Sequence, residues 1–218
     1  MSLMGYVCGA LGIASLLGMP QDATQEKVFA TRSCRAGVLV VSSDNHGDYV
    51  VLARETQGFR KKGTYDIFGG KKEKGDADAA ATAAREWWQE GLGLFGSACT
   101  IAKAQESLSP ESDILQEVIV NPQQKYITFV VRLDPCEIGM VSKSFTKKYT
   151  QLCKAKSESS RTEKDQLALV PLVKFKEALA SKNCKVIALV IDAHGVAHKE
   201  FITLRGRMIK NLAQFAQS

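Results

Sequence analysis

The 218-residue sequence has no Cys-x-x-Cys pair and only three histidines. Its six cysteines stand apart, at positions 8, 34, 99, 136, 153 and 184. A structural zinc site therefore has little support, and the thiols are expected to be reduced and mostly buried. There is no internal repeat and no low-complexity linker. The stretch 4–19 is apolar and uncharged but holds four glycines, Gly5, Gly9, Gly12 and Gly18. It is short for a transmembrane helix and lacks the basic start of a secretory signal. Residues 1–33 are accordingly read as an N-terminal extension and 34–218 as one domain. The expectation is a cytoplasmic protein without stable membrane association.

What is present is an ordinary globular composition, 45% apolar, which is ample for a core. The formal net charge is +6 and the pI about 9.0. That excess favours polyanionic ligands such as phosphates or RNA, although soluble enzymes often carry as much.

The stretch 36–41 is continuously apolar and reads as a buried strand. Asn45, His46 and Gly47 signal a turn before a second strand at 49–53, so the pair reads as a hairpin. Arg54, Arg60, Lys61 and Lys62 follow in a basic loop, as a phosphate contact or as solvated charge. Residues 64–68 read as a short strand entering a turn at Gly69-Gly70. Strands are also expected at 98–104, 114–120, 126–133 and 186–191, with helices at 173–180 and 201–215. In 134–161, Phe145, Tyr149 and Leu152 lie at helical spacing among lysines. That pattern fits core packing, or a basic surface with a stacking aromatic.

The most informative stretch runs from Gly69-Gly70 to Glu90. No Pro or Gly interrupts 76–90, and alanine dominates its first half, so it reads as helix with Asp76 or Asp78 at its start. On such a helix Glu86, Gln89 and Glu90 share one face, and Ala80, Ala83, Ala84 and Trp87 form an apolar stripe. Two carboxylates and an amide beside a glycine turn suit a hard divalent cation with oxygen ligands.

These residues resemble the signature of the Nudix hydrolases. Gly70 looks like its opening glycine, Asp76 its first acid, Arg85-Glu86-Trp87 its Arg-Glu-apolar triplet, and Gln89-Glu90 its Glu-Glu pair. Gly93-Leu94 is similar to the closing Gly-apolar pair. The chain departs from the pattern in three ways. Eight residues, not seven, separate Asp76 from Arg85; the closing glycine falls one place late; and Gln89 replaces a glutamate.

The resemblance implies an α/β/α sandwich, a mixed sheet between helices, and hydrolysis of a diphosphate linkage in a nucleoside diphosphate derivative. It implies Mg²⁺ or Mn²⁺ held by Glu86 and Glu90, with Gly70, Gln89 and an acid of the 163–165 loop, Glu163 or Asp165, as further ligands. Arg85 would orient Glu86 or the loop, and Glu73 and Asp76 would complete or brace the metal shell. Arg60, Lys61 and Lys71 are the candidate substrate contacts. An RNA 5′-end or cap hydrolase and a catalytically weakened binding module stay open. The expected partner is a small molecule, with RNA as the alternative and a homodimer as the expected assembly.

Overall fold

The computed structural model describes residues 35–58, 61–155, 163–192, 194 and 196–217. The expected extension at 1–33, the candidate contact Arg60 and the segment 156–162 lie outside these residues. The described chain forms a mixed sheet in the order β5-β6-β1-β2-β7-β8-β9, with helices on both faces. This is the three-layer α/β/α sandwich that the sequence implied.

The hairpin is built as expected. Strand β1 (Arg35–Asp44) turns through Asn45-His46 into β2 (Gly47–Glu55), with Asp44 opposite Gly47. β1 is buried on both sides, and its side chains alternate between two cores. Val38 and Val40 enter one core; Leu39 and Val41 enter the other. On its far side β1 pairs in parallel with β6 (Tyr126–Arg132), which pairs antiparallel with β5 (Leu115–Asn121).

β1 and β2 diverge beyond the pair Val40–Val51, and two short strands fill the wedge. β3 (Tyr65–Asp66) pairs with β2, and β4 (Phe68–Lys71) pairs with β1. Gly69-Gly70 is therefore not a turn but strand, opposite Gly37 and Ala36. The glycines are required by closeness rather than by a bend. A Cβ on Gly69 would strike the Tyr126 hydroxyl, and one on Gly70 would strike the Glu86 carboxylate.

Helix α1 (Ala79–Glu90) starts three residues later than the unbroken 76–90 pattern suggests. Asp78 is the N-cap and accepts from the Ala81 amide at 2.8 Å, which leaves Asp76 in the preceding loop. The apolar stripe packs as predicted: Ala83, Ala84 and Trp87 are buried against the β1 side of the sheet. Residues 98–104 are not a strand. A 3-10 turn (Gly96–Ala98) leads to helix α2 (Ile101–Ser107), capped by Thr100, whose hydroxyl accepts from the Lys103 amide. The composition Ala-Lys-Ala-Gln-Glu favours helix once that cap is in place.

Helix α3 (Pro135–Lys154) buries Ile138, Val141 and Phe145, and Tyr149 and Leu152 pack against the same core. The aromatics of this basic helix thus belong to the interior. On the opposite face lie α4 (Leu172–Ser181) and α5 (Gly206–Asn211), followed by a 3-10 turn (Ala213–Ala216). Phe175, Met208, Leu212 and Phe215 fill the second core there.

The second half of the sheet is β7 (Lys164–Pro171), β8 (Lys185–Ile191) and β9 (Ala197–Thr203). β9 replaces the first part of the helix expected at 201–215. Its pattern is masked because only Ile202 is buried on this edge strand, so no alternation reaches the sequence. Cys99, Cys136, Cys153 and Cys184 are free and exposed, against the expectation of burial, because each falls in a loop or on an outward helix face. No helix among the described residues is long and apolar enough to cross a membrane.

Candidate active site

The wedge between β1 and β2 opens into a cleft of about 330 Å³. Its lining holds Glu86 and Glu90 from α1, Gly69, Gly70 and Lys71 from β4, and Glu163 and Lys61 from loops. Arg35, Asp66 and Tyr126 line it from the sheet, and Arg205, Arg207 and Asn211 from the C-terminal segment. A larger depression of about 600 Å³ lies between the hairpin turn and α4, away from all these acids.

Arg85 organises the wall behind Glu86. Its guanidinium donates from Nε to Asp76 Oδ1 at 3.0 Å and from Nη2 to Asp76 Oδ2 at 2.9 Å. Nη2 also reaches the Lys71 carbonyl at 2.8 Å. Nη1 donates to Glu86 Oε1 and Gln89 Oε1, both at 2.9 Å, and lies 3.3 Å from Glu73 Oε1. A planar fork with five donors suits this task in a way an ammonium does not. Burial pushes Asp76 upward, but the Arg85 hydrogen bonds and charge outweigh it and hold the carboxyl below its usual range. Asp76 accepts the Glu73 amide at 2.9 Å, which closes the loop. Arg85 itself does not line the cleft.

Glu86 and Glu90 differ in their surroundings. Burial raises Glu86, the Arg85 charge opposes this, and the charges of Glu163 and Glu73 add to it. Glu90 is 3% exposed and is pushed well above the usual carboxylate range by burial. Lys164 opposes that rise, and the charges of Glu86 and Glu55 reinforce it. Glu90 Oε2 accepts from the Gly69 amide at 2.7 Å, and Oε1 lies 3.6 Å from Lys164 Nζ.

The basic loop turns inward. Lys61 pairs with Glu55 at 3.0 Å and with Glu163 at 3.3 Å, so its charge is shared between two acids. The loop expected at 163–165 is largely strand, since Lys164 and Asp165 open β7; of its two acids, Glu163 lines the cleft. Asp165 instead takes a bidentate pair from Arg54, at 2.9 and 2.8 Å. Lys71 is exposed on the rim.

Sequence reasoning missed the far wall. Buried Glu55 accepts from Lys164 at 2.9 Å and from Arg205 at 3.0 Å. Arg205 also donates to Asp66 at 2.6 Å. Burial raises Asp66 despite Lys164 and Arg205, and it would lower Lys164, but the charges of Glu90, Asp66 and Glu55 hold that ammonium above its ordinary value. The available signal was a lone lysine beginning the apolar strand 164–171; Arg205 and Arg207 had none, since they stand at the start of a helix distant in sequence.

Among the described residues no three His, Cys, Asp or Glu side chains stand close enough together to hold a metal ion. The donors present are hard oxygens, and Gly70 is kept bare where a Cβ would displace the Glu86 carboxylate. Glu86, Glu90 and the Gly70 carbonyl are the oxygen donors that could hold a hard cation keeping much of its water, and they do not form a closed protein cage.

No protein-family model matches the sequence, and no curated protein matches it. Solved structures do show partial likeness. The crystal structure of a Nudix hydrolase from M. smegmatis, RenU, is similar over 45% of this chain and 59% of its own, with 17% identity and a TM-score of 0.29. A chain in the complex between the C-terminal domain of mouse MUTYH and human PCNA is similar over 48% and 63%, with 13% identity and a TM-score of 0.30. A Nudix hydrolase from Alicyclobacillus acidocaldarius is similar over 67% and 82%, with 16% identity and a TM-score of 0.32. The chain thus spans about three fifths of the length of the first two.

Proposed function

We propose that the chain is a Nudix-type hydrolase that cleaves the diphosphate linkage of a nucleoside diphosphate derivative with the help of Mg²⁺ or Mn²⁺. One observation carries this reading. Glu86, Glu90 and Glu163 line the same cleft as the basic side chains Arg35, Lys71, Arg205 and Arg207. Acids that can hold a divalent cation, facing a basic rim, suit a substrate whose negative charge is concentrated at adjacent phosphates.

Glu86 would be the principal ligand of the cation, with Glu90 beside it on the same helix face and the Gly70 backbone against its carboxylate. When bound, the cation neutralises phosphate oxygens and lowers the pKa of a water that it holds. Glu163 would take the proton of the attacking water, with Lys61, 3.3 Å away, keeping its carboxylate oriented. Arg85 sets the angle of Glu86 and the shape of the loop, and it is a positioning residue. Lys71, Arg35 and Arg207 bind the phosphates from the rim.

The Arg85–Gln89 hydrogen bond favours a second reading, a binding module with weakened catalysis. An amide oxygen engaged by a guanidinium is a poorer ligand than a free carboxylate. One experiment tests both. A panel of nucleoside diphosphate derivatives, with capped RNA as one member, is incubated with the protein and Mn²⁺. Release of a nucleoside monophosphate, lost in Glu86→Gln, is the expected result. Binding without turnover across the panel selects the binding module, and turnover of capped RNA alone selects the RNA reading.

A further inference from the structure

Lys164 has no solvent exposure. An ammonium removed from water costs several kcal/mol unless its donors are matched. It has three donors, and three oxygens surround Nζ. Glu55 Oε1 lies at 2.9 Å, the Ile67 carbonyl at 3.4 Å and Glu90 Oε1 at 3.6 Å. Glu55 is also held by Lys61 and Arg205, each at 3.0 Å, and Arg205 reaches Asp66. The acids Glu55, Asp66 and Glu90 thus face the cations Lys61, Lys164 and Arg205, of which Lys61 is shared with Glu163. Across the cleft, Glu86 already takes a hydrogen bond from Arg85. A site that holds several divalent ions together needs an excess of carboxylate charge, and here Glu55, Glu86 and Glu90 each already face a cation of the chain.

We propose that Lys164 acts as a resident cation for Glu90, so that the cleft takes one divalent cation rather than two. The inference rests on the metal-dependent reading above. A tethered ammonium is a compact point charge that neutralises an acid without the short ligand distances a metal demands. It also cannot dissociate. Lys164 does not line the cleft and touches no substrate; it is a positioning residue that holds Glu90 between its ammonium and the Gly69 amide. A lysine that only stabilises the fold would leave the number of bound metal ions unchanged when removed, which separates the two accounts.

The test counts Mn²⁺ bound per chain, by titrating the full chain and following the electron paramagnetic resonance of the free aqua ion. The wild-type chain is expected to bind one ion, and Glu86→Gln to lose it. Lys164→Met removes the ammonium and is expected to bind two. If that variant does not fold, Lys164→Gln removes the charge, leaves a neutral amide to donate to Glu55 and frees Glu90. It too is expected to bind two. Two ions on the wild-type chain overturn the inference and leave the hydrolase reading standing. No bound Mn²⁺ on the wild-type chain overturns both. One ion on the wild-type chain and still one on whichever variant folds overturns the inference, and Lys164 is then only a stabilising residue.

Discussion

Arg85 and Lys164 are both buried cations beside the acids of one cleft, yet they are built differently. Arg85 spends its fork on partners close in sequence: Asp76 nine residues away, the Lys71 carbonyl fourteen away, and Glu86 and Gln89 within a turn of its own helix. Lys164 meets Glu55 and Ile67, 109 and 97 residues away. The first cation orders a local loop by the directions of its hydrogen bonds. The second balances charge between strands that meet only when the sheet closes. A planar fork and a point charge suit these tasks respectively. The contrast teaches that one wall of the cleft is a local structure, while the other exists only as a product of the whole fold.

The sharpest way to break this contrast is at Arg85. Arg85→Ala leaves buried Asp76 without its partner and is expected to cost about 3–5 kcal/mol in urea unfolding. Arg85→Lys keeps the charge but not the fork, and it should recover only a minor part. Full recovery by lysine would show that charge, not direction, is what the loop needs, and the two cations would then be alike.

A second, smaller effect is expected at Glu90, where the walls meet. Glu90→Gln keeps the shape and should lower turnover by at least about tenfold, roughly 1.4 kcal/mol of barrier, with the melting temperature little changed. A smaller loss would remove Glu90 from the catalytic set.

Gln89 sharpens the local side of the comparison. Gln89→Glu places a carboxylate beside Glu86, and the Mg²⁺ concentration for half-maximal activity is expected to fall. The fall is held to about fivefold or less, since Arg85 competes for the same oxygen with the strength of a partly exposed ion pair. An unchanged value would mean that the new carboxylate stays wholly on Arg85.

The smallest effect is expected on α3, whose lysines do not line the cleft. Charge reversal at Lys147 and Lys148 on α3 should leave hydrolysis of small nucleotides unchanged, because that helix directs its aromatics into the core and offers no stacking surface. A large loss confined to capped RNA, with binding falling steeply as salt rises, would instead assign this helix to an RNA partner.

Much of the fold was legible where periodicity is local. The hairpin of β1 and β2, the strand β6 and the buried stripe of α1 all follow from patterns that span a few residues. The reading failed where local signals compete. Residues 98–104 are apolar enough for a strand, but the Thr100 cap and helix-forming neighbours decide for helix. Gly69-Gly70 looked like a turn because glycine permits one; its real cause is the approach of Tyr126 and Glu86 from other elements. Edge strand β9 was hidden because an exposed edge need not alternate.

For the site the division is similar. The sequence by itself determined the Arg85 wall, since spacing on one helix places Glu86, Gln89 and Glu90 on one face and brings the preceding loop within reach. It also named both Glu163 and Asp165, but only the tertiary structure chose between them, by giving Asp165 to Arg54 and turning Glu163 into the cleft. The same holds for Arg35, Arg205, Arg207 and Lys164. Their roles depend on the splaying of β1 from β2 and on a C-terminal helix docking beside the gap. Those are long-range contacts set by burying two apolar cores, and no short stretch of sequence carries them.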